Sequence, residues 1–142
     1  MERCSFVEDC VFCKIARGGE QASHIYEDRD VIAFLDTRPI NQGHTLVISK
    51  RHYENIFEIP DEELANLFKV VKKIAAAIMK SEKAAGIRIV QNNGSAAHQI
   101  IFHFHVHIIP EYEGQESHWD RKIIGQSELE RVATRIRKLV YS

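Results

Sequence analysis

Three histidines alternate with apolar residues in His103-Phe104-His105-Val106-His107. Small shifts decide whether an imidazole is neutral or charged near pH 7, so it can serve as metal ligand, acid–base group or nucleophile. In a strand, successive side chains point to opposite faces. His103, His105 and His107 would then share one face, with Phe102, Phe104, Val106 and Ile108 turned toward a core. At a rise of about 3.3 Å per residue, neighbouring histidines are roughly 6.6 Å apart along the backbone and the outer two roughly 13 Å. Two neighbours can lean onto one metal; all three on a flat strand can hardly do so. A merely solvated, His-rich face is a poor account of a strand whose other face is apolar. Two chemistries remain: a metal-dependent hydrolase with zinc on His105 and His107, or a histidine acting as nucleophile or acid–base.

A second group is Cys10-Val11-Phe12-Cys13, whose two-residue gap suits a zinc knuckle or a redox pair. Structural zinc usually takes four ligands, and two histidines could complete the set. No thioredoxin-like βαβ pattern follows the pair, which disfavours the redox reading. Cys4 is left over.

These residues need elements to hold them. Phe12–Arg17 reads as a short helix ended by Gly18-Gly19, and His24–Glu27 and Val31–Leu35 as strands joined through Asp28-Arg29-Asp30. Pro39, Asn41 and Gly43 mark a loop before a short apolar strand, Thr45–Ile48. After Pro60, the residues Leu64, Leu67, Phe68, Val71, Ile74, Ala75 and Ile78 repeat at helical intervals, with Gly86 as the stop. Ile87–Gln91 and Phe102–Ile109 read as strands around a polar loop, 92–95. Ser127 and Glu130 form a capping box for a terminal helix lined by Leu129, Val132, Ala133, Ile136 and Val140. About five strands with few crossovers predict an α+β domain: an antiparallel sheet with one face covered by helices.

The chain has 142 residues, the size of one domain, with 44% hydrophobic content, enough for a core without disulfides. The whole length 1–142 reads as a single domain, with 1–9 an N-terminal tail and 111–142 a C-terminal segment. The tail is charged and lacks an apolar core, unlike a signal peptide, and no stretch approaches a membrane span. A cytoplasmic protein is expected, where disulfides are rare. The net charge of −1, from 19 basic and 20 acidic side chains, argues against a nucleic-acid or membrane footprint. Any bound anion must be held by local donors.

The sequence resembles the histidine triad (HIT) family along nearly all its length. His103-Phe104-His105-Val106-His107-Ile108-Ile109 is similar to the family signature, Cys10-Val11-Phe12-Cys13-Lys14-Ile15 to its opening segment, and 34–39 followed by 43–48 to its central block. Asn92-Asn93-Gly94, then Gln99 four residues before His103, complete the approach to the triad. The resemblance implies a five-stranded antiparallel sheet with one long and one C-terminal helix, joined to a second copy in a homodimer. It also implies a site for a purine nucleotide such as AMP, and hydrolysis or nucleotidyl transfer through a nucleotidyl-histidine intermediate.

Residue by residue, the resemblance implies His105 as the nucleophile and His107 as the group that contacts the phosphate and assists departure of the leaving group. Gln99 would donate to a non-bridging oxygen, and His44 would support the site, unless it makes no more than a local hydrogen bond. Asp36 matches the ribose carboxylate, though it could equally form a turn. Phe12, Ile15, Phe34, Thr37 and Leu46 match the base pocket, and Asn92 a position near phosphate and ribose. His52 and His103 match the histidines that join Cys10 and Cys13 in zinc-bearing branches, implying a closed, structural Cys₂His₂ site. That assignment leaves His105 for attack at phosphorus.

Three positions depart from the usual pattern: His98 stands where the family typically has glycine, Ile100 where one branch has a serine near the phosphate, and Glu111 where many relatives have arginine after Pro110. The lost serine bears on handling of a leaving amine. Glu111 offers no attraction to a second phosphate, which ranks dinucleoside polyphosphates below nucleoside phosphoramidates and related esters and anhydrides. A regulatory nucleotide binder with vestigial catalysis is the reading from another class. His24 and His118 are read as surface histidines, and Trp119 as a residue that could reach across a dimer.

Overall fold

The structure is a computed structural model that describes residues 7–115 and 119–141. Cys4 and His118 lie outside the described residues. The elements run α1 (Val11–Ala16), β1 (His24–Glu27), β2 (Val31–Leu35), β3 (Thr45–Ser49), α2 (Asp61–Ser81), β4 (Gly86–Val90), a 3-10 turn (Ser95–Ala97), β5 (His105–Glu111) and α3 (Gln126–Val140). The five strands form one antiparallel sheet in the order β1-β2-β3-β5-β4. No described helix is long and apolar enough to cross a membrane.

Strand alternation divides the interior into two cores. On one face Ala33, Leu35, Val47, Val106 and Ile108 pack against Leu67, Val71, Ile74 and Ile78 of α2 and Leu129, Val132 and Ile136 of α3. On the other, Ile32, Phe34, Leu46 and Ile48 meet Phe12 and Ile15 of α1. The expectation of one covered face is therefore incomplete, since α1 covers part of the second. That second face also carries the histidines, because Leu46 pairs with His107 and Ile48 with His105.

Four expectations need correction. Strand β5 begins at His105, so Phe102, His103 and Phe104 precede it, and Phe102 is 42% exposed rather than part of the core. Helix α2 stops at Ser81, where Glu82 caps it and Lys83 turns the chain at φ 55; Gly86 opens β4 instead of ending the helix. Phe68 follows Leu67 by one residue, about 100° around the helix, and so points outward at 38% exposure. Helix α3 starts one residue before Ser127, with Gly125 at the cap position and no capping side chain, so the Ser127–Glu130 box does not form.

Gly43 fixes the entry to β3. It sits at φ 94, and a Cβ there would come within 3.1 Å of the Pro110 ring. Glycine alone takes this conformation readily, and the close approach seats His44 at the end of β5.

Candidate functional site

The residues that the sequence groups as three histidines on one strand form two separate constellations. His103, ahead of β5, turns toward α1. Its Nε2–H donates to the Ser49 carbonyl at 2.7 Å, which leaves the Nδ1 lone pair facing the thiols: 3.3 Å from Cys10 Sγ and 3.5 Å from Cys13 Sγ. His52 Nδ1 lies 3.2 Å from Cys13 Sγ. The four ligand atoms fall within 4.8 Å of one another, and neither cysteine is in a disulfide. A tetrahedral zinc with Zn–S near 2.3 Å and Zn–N near 2.0–2.1 Å puts sulfur and nitrogen about 3.6 Å apart, so the donor set fits the ion. Two backbone amides, Val7 and Cys13, also point at the sulfurs, each at 3.4 Å.

His105 is held the other way. Its Nδ1–H donates to the His103 carbonyl at 2.6 Å, so the Nε2 lone pair is left without a hydrogen-bond partner among the described residues. His107 completes the pair through a chain of donors. The Ile40 amide donates to His44 Nδ1 at 3.0 Å, which places the His44 proton on Nε2; that Nε2–H donates to His107 Nδ1 at 2.9 Å. His107 therefore carries its own proton on Nε2. The result is one imidazole lone pair and one imidazole N–H on neighbouring rings, centroids 5.1 Å apart. His44 both makes its local bond and supports the site.

Burial keeps these rings neutral. It lowers His107 to about 3, with His105, His44 and Arg121 adding repulsion, and His44 to about 4 against an opposing pull from Asp36. His105 is also lowered by burial, in part offset by its bond to the His103 carbonyl. A neutral imidazole is the form that can attack phosphorus.

Both rings open on a cavity of about 910 Å³, near the upper end for small-molecule pockets. Phe12, Ile15, Phe34, Asp36, Thr37, Leu46 and Asn92 line it together with His105 and His107, as the sequence grouped them. Phe12 meets Phe34, His103 and His105 edge-on at 5.6, 5.9 and 5.1 Å.

Gln99 is not there. Its side chain is buried inside the preceding loop, donating to the Glu54 and Ile101 carbonyls at 2.6 and 3.1 Å and accepting from the Gly94 amide at 2.7 Å. Its donors are spent on the backbone, so the phosphate contact expected of it is corrected to a loop-shaping role. His98, beside it, adopts a left-handed φ of 69, which explains why glycine suits that position. Glu111 is not among the residues lining the cavity; it accepts from Asn41 Nδ2 at 3.3 Å and pairs with Arg88 at 3.5 Å.

Sequence reasoning missed what Arg121 of the C-terminal segment contributes. Trp119 packs edge-on against His107 of its own chain at 6.0 Å. Arg121 Nη1 donates to Asp36 Oδ2 at 2.6 Å and to the Arg38 carbonyl at 3.0 Å. Asp36 Oδ1 accepts from the Arg38 amide at 2.9 Å, so Asp36 does form a turn while facing the cavity. Nothing periodic marks residues 119–122; an aromatic and two cations in an irregular stretch are the whole signal.

A family model described as HIT domain matches residues 17–114. The chain is 42% identical over 113 residues to an adenylylsulfatase of Arabidopsis thaliana, covering 80% of this chain and 57% of that protein. It superposes on the crystal structure of a hypothetical histidine triad nucleotide-binding protein of Sulfolobus tokodaii with TM-score 0.87 and 40% identity, covering 93% of this chain and 92% of the other. A zinc-bound histidine triad family protein of Mycobacterium smegmatis gives TM-score 0.86 and 35% identity, with 94% of each chain covered.

Proposed function

Since the chain belongs to the HIT domain family, we propose that it hydrolyses nucleoside monophosphate derivatives at the α-phosphorus through a nucleotidyl intermediate on His105. The observation that carries this reading is the opposed pair of imidazoles: a lone pair on His105 beside an N–H on His107.

The chemistry balances in two steps. The His105 Nε2 lone pair forms a bond to phosphorus while the bond to the leaving group breaks, its electron pair departing with that group. His105 becomes an N-phosphorylated imidazolium whose charge rests against the His103 carbonyl. Water then attacks phosphorus as the P–N bond breaks, its electron pair returning to His105 Nε2; the proton the water loses passes to the departed group or to solvent, the nucleoside monophosphate is released and His105 is neutral again. His107 Nε2–H stabilises negative charge on the phosphoryl oxygens as it builds. Phe12, Ile15, Phe34, Thr37 and Leu46 would receive a purine, as in AMP, and Asp36 and Asn92 the ribose and phosphate side. Anhydrides fit this scheme directly, and esters and phosphoramidates fit it when the departing oxygen or nitrogen takes up a proton as its bond to phosphorus breaks; the adenylylsulfatase among the relatives supports hydrolysis of such a bond.

Zinc on Cys10, Cys13, His52 and His103 would be structural, with all four positions taken by protein and none open to substrate. A homodimer, its sheets joined, is in keeping with the edge position of β4, where Ile89 is exposed.

The test is to mix the protein with adenosine 5′-phosphoramidate, quench with acid-free denaturant, and read intact mass. Added mass of one adenylyl group on His105, absent in His105→Ala, is expected. Turnover that survives His105→Ala rejects the reading. AMP binding with no turnover of any derivative would favour the regulatory alternative.

A further inference from the structure

We propose that Lys122 is a positioning residue of the histidine site: from outside the cavity it fixes which nitrogen of His107 carries the proton. This rests on the reading above and concerns what decides the N–H that His107 presents to the phosphate.

The need for such a residue follows from the contact between His44 and His107. A single hydrogen bridges His44 Nε2 and His107 Nδ1 across 2.9 Å, and it can belong to either ring. In one direction His107 is left with an Nε2–H, in the other with an Nε2 lone pair that repels phosphoryl oxygens. Asp36 Oδ2 lies 3.7 Å from His44 Nε2, beyond a hydrogen bond, and is already paired with Arg121. The direction is therefore chosen at the far end, where the Ile40 amide donates to His44 Nδ1 at 3.0 Å. A peptide unit that turned away would leave both directions open.

Lys122 holds that unit. A peptide plane is rigid, so fixing its oxygen aims its hydrogen. The Lys122 amide donates at 2.7 Å to the Pro39 carbonyl, the oxygen of the same peptide unit whose N–H serves His44. Lys122 Nζ donates to the Ile40 carbonyl, on the next peptide unit, and to Asn41 Oδ1 at 3.0 Å. Both planes flanking the Ile40 Cα are thus held by one residue. Asn41 passes the restraint on. Its Nδ2 donates at 2.9 Å to the Pro110 carbonyl in β5, and its own carbonyl accepts from the His44 amide at 3.0 Å. Ile40 and Asn41 are buried, at 1% and 5% exposure, so bulk water is a poor substitute for the ammonium. The hydrogens run one way, from Lys122 through Ile40 and His44 to His107, and each bond polarises the next.

The experiment labels the histidine ring nitrogens isotopically and reads the tautomers of His44 and His107 by nuclear magnetic resonance in wild type, Lys122→Met and Lys122→Arg. Wild type should show both rings protonated on Nε2. In Lys122→Met a measurable share of His107 should carry its proton on Nδ1 instead, and Lys122→Arg should restore most of the wild-type pattern. With adenosine 5′-phosphoramidate, Lys122→Met should lower kcat about three- to tenfold, less than loss of a whole acid–base contact, with KM changed by no more than about twofold. A lower melting temperature with His107 still protonated on Nε2 alone would overturn the proposal, since a merely structural lysine does only that. Wild-type His107 protonated on Nδ1 would overturn it as well. Should Lys122→Met not fold, Lys122→Gln, whose amide is too short to span both oxygens, is read by the same spectra. If wild type cleaves no derivative the hydrolase reading falls, and the spectra still decide whether Lys122 sets the tautomer.

Discussion

His103 and His105 are two residues apart, yet their rings are held in opposite tautomers. The Ser49 carbonyl takes the Nε2 proton of His103 and turns Nδ1 toward two sulfurs; the His103 carbonyl takes the Nδ1 proton of His105 and leaves Nε2 to the cavity. One residue thus offers its carbonyl to His105 and its ring to the thiols. The difference shows that a backbone acceptor, rather than residue type, decides what each imidazole can do. It also separates a cysteine–histidine cluster beside α1 from a histidine pair that faces the cavity.

The sharpest way to break this comparison is to truncate each ring. His105→Ala should cut turnover at least about a thousandfold while leaving the melting temperature within a few degrees. His103→Ala should lower stability by several kcal/mol, on the order expected for losing a metal or a buried network, with much of the activity retained by molecules still folded. Activity assays and calorimetry on the same preparations read both effects. If both variants fail in the same manner, the two regions are one.

Next in size is metal removal. One zinc per chain is expected by elemental analysis and none in Cys13→Ala. Chelation should lower the melting temperature while turnover persists below it. Loss of turnover from a still-folded apoprotein would assign the metal to the chemistry instead.

His44→Ala tests the reactive side more gently. It frees His107 to take its proton on either nitrogen, so kcat should fall about ten- to a hundredfold, the size of a lost acid–base or orienting contact, with little change in KM.

A pH titration of stability follows. His44 and His107 are near 4 and 3 in the fold against 6.5 when unfolded. The unfolded chain therefore binds more protons between those limits. Stability is full above about pH 6.5 and falls as the pH drops toward 4, by about 1.4 kcal/mol per unit for each ring. A flat profile measured over that window by denaturant unfolding would mean the rings are not buried neutral.

The smallest effect is expected at His98. His98→Gly relieves a left-handed residue and should stabilise the protein by no more than about 1 kcal/mol, seen as a small rise in denaturation midpoint.

Much of this was legible in the sequence because it depends on local patterning. The bounds of β1 and β2 agree with the alternation of apolar residues, and the cavity lining from Phe12 to Asn92 agrees with what the family resemblance implies. What escaped depends on three dimensions. His103 continues an alternating pattern yet leaves the strand, because Phe104 is tied through its amide to the Tyr53 carbonyl. Gln99 matches a motif position but spends its amide on a loop that no local pattern reveals. Arg121 reaches Asp36 from 85 positions away, and tautomers are set by carbonyls whose placement no residue type encodes.

Helix α1 has only six residues, too few to stand alone in water. Cys10 and Cys13 tie it to the ligand cluster, while Phe12 and Ile15, on the same turns, wall the cavity. Were a metal on those four side chains and a ligand in the cavity both to order this segment, each would tighten the other's binding by the same factor. Scarcity of either would then be felt as weakened retention of the other, making the pocket's occupancy a gauge of metal supply.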